Sequence, residues 1–93
     1  MGQYRKKPIV IEAHQWHKDG DHSVVERYRD SDVRPESLCH ICKRHMVTHG
    51  WIKTLEGGHI VCPDDWIVCG VIGEYYPVKP DIFERTYEPA ANM

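Results

Sequence analysis

The sequence lacks most of the features that would announce a location or a chemistry. No apolar run approaches the roughly 18 to 20 residues of a membrane span. The basic start Met1-Gly2-Gln3-Tyr4-Arg5-Lys6-Lys7 is followed by no signal-type apolar segment, so the chain is expected to be soluble and cytoplasmic, with no membrane partner. A glycine-rich phosphate loop is missing, because no Lys-Ser or Lys-Thr follows Gly57-Gly58. Serine occurs only at 23, 31 and 37, never in the sharp turn that presents a nucleophile. There is no internal repeat, low-complexity tract or heptad. Nor is there an excess of one charge: 12 basic against 14 acidic residues leave −2, too acidic for strong nonspecific attraction to nucleic acid or lipid. Residues 1–49 carry nine basic and seven acidic groups and residues 50–93 three and seven, a mild asymmetry that reads as ordinary solvated surface.

What remains is a globular composition, 41% hydrophobic and 28% charged, in a chain too short for two cores. Residues 1–93 are expected to form one domain with a frayed tail from 89 to 93. A domain of this size buries only about 60 to 65% of its unfolded surface, so an added staple is expected. Four cysteines and seven histidines could supply it.

Pro8-Ile9-Val10-Ile11-Glu12-Ala13 is short and β-branched and predicts a strand, which His14-Gln15-Trp16-His17 could extend. Lys18-Asp19-Gly20-Asp21 signals a turn, and Asp21 or Ser23 would cap a short helix over Val24-Val25-Glu26-Arg27-Tyr28. Residues 29–37 predict an irregular connection. Trp51-Ile52-Lys53-Thr54-Leu55 and His59-Ile60-Val61-Cys62 predict a hairpin turning at Glu56-Gly57. A Pro63-Asp64-Asp65 turn then leads to a strand over 66–72, a Gly73-Glu74 turn and an edge strand containing Pro77. Pro80-Asp81-Ile82-Phe83 predicts one helical turn before extended chain resumes at Arg85. The expected fold class is α+β: mainly an antiparallel meander, open or curled into a partly open barrel, with one short helix.

Without a secretory context, the even cysteine count points to metal rather than disulfides. The two-residue gap between Cys39 and Cys42 suits a turn that aims both thiolates at one ion, and His40, His45, His49, His59 and Cys62 lie near. If the hairpin turns at Glu56-Gly57, position 62 falls opposite Trp51. His49 then shares a face with Cys62, while His59 lies on the other. The predicted ligands of a structural Zn²⁺ are Cys39, Cys42, His49 and Cys62; a one-residue slip would exchange His49 for His59. His45 is disfavoured, since two residues after Cys42 leave little chain to wrap an ion. Three thiolates and an imidazole fill a tetrahedron and leave no place for water or substrate, so no enzyme is expected. The competing readings are buried reduced thiols or a redox pair at Cys39 and Cys42, for which the strand-turn-helix context is missing. Cys69 reads as a small buried hydrophobe, Asp64 and Asp65 as turn formers, the three Trp as core, and His14, His17 and His22 as surface.

Two stretches, Tyr4 to Ala13 and His49-Gly50-Trp51-Ile52-Lys53-Thr54-Leu55-Glu56-Gly57 through Pro77 to Pro89, resemble the small tailed-phage and prophage proteins with a PGDYG-type domain. The likeness covers about two-thirds of the chain and misses most of residues 17–38. It implies a zinc-binding Cys-x-x-Cys variant of the family, because relatives that keep this motif also keep counterparts of His49 and Cys62, and it marks Cys69 as a non-ligand. The family turn reads Pro-Gly-Asp, where this chain has Pro63-Asp64-Asp65; Asp tolerates a left-handed backbone better than most residues. The resemblance lends no activity. The leading expectation is a phage accessory protein, located in the cytoplasm of an infected or lysogenic bacterium, that binds a host protein such as a defence or remodelling enzyme. The second is a nucleic-acid module using Arg5, Lys6, Lys7, Lys43 and Arg44, and a nucleotide pocket ranks last.

Overall fold

The computed structural model describes residues 2–4, 9–29 and 34–90. Arg5, Lys6, Lys7 and the end of the expected tail lie outside them. Among these residues, six strands and one α-helix follow in the order β1 (Glu12–Gln15), β2 (Glu26–Arg27), β3 (Gly50–Thr54), β4 (Gly57–Val61), β5 (Trp66–Cys69), β6 (Tyr75–Val78) and α1 (Pro80–Thr86). All pairing is antiparallel, as expected, in two three-stranded sheets ordered β1-β5-β6 and β2-β3-β4. Among the described residues no barrel closes. The two predicted hairpins form as β3-β4 and β5-β6, and the Pro63-Asp64-Asp65 turn carries the chain from one sheet to the other.

The β3-β4 hairpin turns one residue earlier than predicted. Thr54 pairs with Gly57, leaving Leu55 and Glu56 as the loop. The Thr54 hydroxyl accepts the Glu56 N–H at 3.1 Å and donates to the Gly57 carbonyl at 2.8 Å, closing the turn on itself. Gly57, at φ +110°, takes a conformation that a side chain would strain. Because moving the turn centre by one residue changes pairing by two, every side chain keeps its predicted face. Continued one step beyond the ladder, the register sets His49 opposite Cys62.

Several other expectations are corrected. The helix over 24–28 is absent: Glu26 and Arg27 pair with Trp51 and Gly50, and the Tyr28 N–H donates to the His49 carbonyl at 3.0 Å. An isolated five-residue helix could not sustain itself, whereas the free edge of β3 satisfies the backbone and lets Val25 into the core. Asp21 ties the preceding turn instead of capping a helix, accepting the His17 and Lys18 N–H groups. The ladder of β1 begins only at Glu12, and β5 stops at Cys69. Val71 and Ile72 lie exposed in a turn that the Glu74 carboxylate holds through the Ile72 N–H. In contrast, α1 runs further than predicted, to Thr86. Pro80 occupies its first turn, and Asp81 and Arg85 complement its dipole.

The core lies between the sheets, where Ile52 and Val61 of one meet Ile67 of the other together with Trp16 and Val25. Gly50 makes this fit possible, since a Cβ there would sit 2.5 Å from Val25 Cγ1 and 3.0 Å from Trp16 Cζ2. Of the tryptophans, only Trp16 is fully buried; Trp51 and Trp66 are half-buried against Tyr28 and Phe83. A second, smaller cluster of Cys39, Met46 and Cys62 lies apart from the first. On the edge strand β6, Pro77 sits where no further ladder partner is needed.

Candidate metal centre

The second cluster is built from three segments. A tight turn presents the first two ligands: the Lys43 N–H donates to the Cys39 carbonyl at 2.9 Å, the Cys39 N–H to the Arg44 carbonyl at 2.8 Å, and Lys43 takes φ +67°. The Ile41 N–H donates to Cys39 Sγ at 3.3 Å, so the sulfur is oriented before any ion arrives. A 3-10 turn over Met46–Thr48 then delivers His49 to the start of β3. Cys62 follows directly on β4.

These segments bring the ligand atoms of Cys39, Cys42, His49 and Cys62 within 4.8 Å of one another, the set that register and spacing predict. Cys39 and Cys62 Sγ are 3.8 Å apart, and Cys42 Sγ is 3.1 Å from His49 Nε2. Cys39, His49 and Cys62 are buried and Cys42 is half-buried. His49 Nδ1 donates to the His45 carbonyl at 2.9 Å, which fixes the tautomer whose Nε2 lone pair faces the sulfurs. Burial lowers the His49 pKa, so its imidazole is neutral at pH 7, as ligation requires. Burial pushes the Cys62 thiol up to about 12. Burial also raises the Cys39 thiol, but hydrogen bonds from the Cys42 and Ile41 backbones and from the neighbouring thiols outweigh it and leave Cys39 below its ordinary value.

The competing residues stay outside. His59 is exposed on β4, paired in register with Ile52, and His40 is exposed beside the turn. The His45 ring turns to the Pro35 carbonyl, at 3.1 Å from Nδ1. Cys69 is half-buried on β5, with its thiol against its neighbour's carbonyl. His17 bonds Asp64 rather than joining His14 and His22, which meet each other edge to face.

One pair of functional residues escapes sequence reading. Asp65 is only 2% exposed; its Oδ2 accepts the Cys62 N–H at 2.9 Å, and both its oxygens accept from Lys79 Nζ at 3.0 Å. Burial pulls the Lys79 pKa down, but the neighbouring Cys62 sulfur and the Asp65 carboxylate outweigh it and hold Lys79 above its ordinary value. Asp65 therefore fixes the backbone of one ligand, and Lys79 places a positive charge beside its sulfur. The neighbouring Asp64 takes φ +81° in the turn, a left-handed backbone that Asp tolerates better than most residues, and binds Arg44 at 3.1 Å. Of the predicted basic contacts, Arg44 is thus committed to Asp64, and Lys43 Nζ donates to the His40 carbonyl at 3.2 Å.

No helix among the described residues is long and apolar enough to cross a membrane. Comparison of the chain with protein-family models, curated proteins and solved structures returned no match.

Proposed function

We propose that the chain is a zinc-stapled binding protein without catalytic activity of its own, an accessory factor of a tailed phage or prophage that engages a host protein in the bacterial cytoplasm. The observation that carries the zinc reading is the Cys39, Cys42, His49, Cys62 cluster. Zinc with Zn–S bonds of about 2.3 Å and Zn–N bonds of about 2.0–2.1 Å gives tetrahedral S–S edges near ~3.8 Å and S–N edges near ~3.5 Å. The Cys39–Cys62 separation of 3.8 Å meets the first, and the 3.1 Å between Cys42 and His49 lies slightly inside the second. Soft thiolates with imidazole favour zinc over oxygen-seeking cations.

Four protein ligands complete the tetrahedron and leave no position for water or substrate, so the ion's role is to hold the fold. It would tie the Cys39 turn to the β3-β4 hairpin under a core of few residues. The phage provenance is supported by the likeness of the Tyr4–Ala13 and His49–Pro89 stretches to PGDYG-type proteins. A binding role, in place of a reaction, fits a filled coordination sphere. The pairing of Arg44 with Asp64 takes one cation from the basic set that the nucleic-acid alternative needs.

The test is elemental analysis of purified protein combined with affinity capture from bacterial lysate at physiological salt. One zinc per chain, loss of folded structure on chelation, and a specifically enriched protein are expected. A folded metal-free protein would sink the zinc reading, and a capture with nothing enriched would sink the partner.

A further inference from the structure

The sheet β1-β5-β6 packs Ile67 inward against the core, so its opposite face carries Trp66, Val68 and, by register, Ala13 and Gln15. Helix α1 covers this outer face at β5 and β6. Phe83 stacks on Trp66 with ring centroids 4.1 Å apart and planes 3° from parallel, and the Tyr87 hydroxyl meets that of Tyr76 at 3.4 Å. Over β1 and residues 9–11 the face is only partly covered among the described residues, with Ile9 exposed and Ile11 and Ala13 half-buried. A groove of about 730 Å³ remains between residues 9–13 and α1, with Ile9, Ile11 and Ala13 on one side and Phe83 and Tyr87 on the other. Ile9 is 54% exposed and Val10 80%, which is unusual for consecutive β-branched residues in so small a domain.

The charged residues lining the groove are Glu84 and Glu88, both exposed carboxylates, and no Lys or Arg lines it among the described residues. An apolar floor with an acidic rim selects an occupant of complementary composition. We propose that this groove binds a protein segment presenting apolar side chains flanked by Lys or Arg. The apolar side chains fill the gap beside Phe83 and Tyr87, and the cations meet Glu84 and Glu88. The proposal rests on the reading of the chain as a protein-binding module and assigns the surface and the partner chemistry to it.

The test uses the zinc-loaded full chain with two labelled amphipathic probes, a Leu/Lys peptide and its Leu/Glu counterpart, in fluorescence anisotropy at low and physiological salt. The Leu/Lys peptide is expected to bind and the Leu/Glu peptide not to. The double variant E84K/E88K should weaken the first by about tenfold and admit the second, since two exposed ion pairs are reversed. Zinc content and circular dichroism of the variant show that it stays folded, as both side chains are exposed. Equal binding of both peptides, binding of neither, or no change on charge reversal would overturn the proposal. So would a concentration-dependent dimer in sedimentation that E84K/E88K leaves intact and that blocks the peptide, because a second copy would then be the occupant. A lysate partner still captured by E84K/E88K would refute the groove and leave the binding-module reading standing.

Discussion

Replacing Asp65 by Ala is expected to destabilise the zinc-loaded protein by about 2–4 kcal/mol, although Asp65 is not a ligand. The carboxylate accepts the buried Cys62 N–H at 2.9 Å and two bonds from Lys79 Nζ at 3.0 Å. Leaving a buried N–H without an acceptor costs about 1–3 kcal/mol. Stranding the cation of a fully buried pair would add about 3–5 kcal/mol. The Lys79 side chain is 34% exposed, however, and can turn its ammonium to water, so about 1 kcal/mol is the appropriate share. At about 4–8 °C per kcal/mol for a domain near this size, the midpoint should fall by roughly 8–32 °C in calorimetry with zinc in excess. Asp65→Asn keeps an oxygen for the Cys62 N–H and should recover about half of the loss. Zinc affinity should drop about 10- to 100-fold in D65A, the usual cost of removing an outer-shell partner. An Ala variant within about 0.5 kcal/mol of the parent, or an Asn variant as unstable as Ala, would refute this division of the energy.

Zinc binding at pH 7 should release at least one proton, because the Cys62 thiol near 12 is fully protonated in the metal-free protein and His49, held below its ordinary pKa, has none to give. Apparent affinity should therefore fall about tenfold or more per pH unit on acidification, and titration calorimetry in buffers of different ionisation enthalpy reads the proton count directly. His49→Ala should abolish stoichiometric zinc binding by elemental analysis, whereas His59→Ala, on the exposed side of β4, should keep one zinc and change stability by less than about 0.5 kcal/mol. Gly50→Ala should cost about 1–3 kcal/mol in chemical unfolding, since the added methyl presses on Val25 and Trp16 in the core; a neutral effect would mean that the sheets separate more easily than their packing suggests.

The hairpin was legible because alternation and the Gly57-Gly58 pair are local signals. The ligand set was legible because face parity survives an error of one residue in the turn centre. Thr54 defeated the turn itself, since its side-chain bonds to Glu56 and Gly57 compete with glycine for the position of the loop. At residues 24–28, a strand and a helical turn share the same short apolar pattern, and only the free edge of β3 decides between them. Asp65 and Lys79 lie fourteen residues apart in separate turns, so no period or motif connects them before β5 and β6 have paired. The groove beside α1 was hidden for a related reason: it depends on where Phe83 lands, and Trp66 determines that from a different strand.

The position of His49 and Cys62 at the open end of one hairpin would give a bound ion a task beyond cross-linking. Strands β3 and β4 slipped by a single residue would send these two side chains to opposite sides of the sheet, and an ion could then keep at most three of its four donors. Capture of a metal at this site would thus act as a proofreading step, locking the correctly zipped hairpin more firmly than a misaligned one.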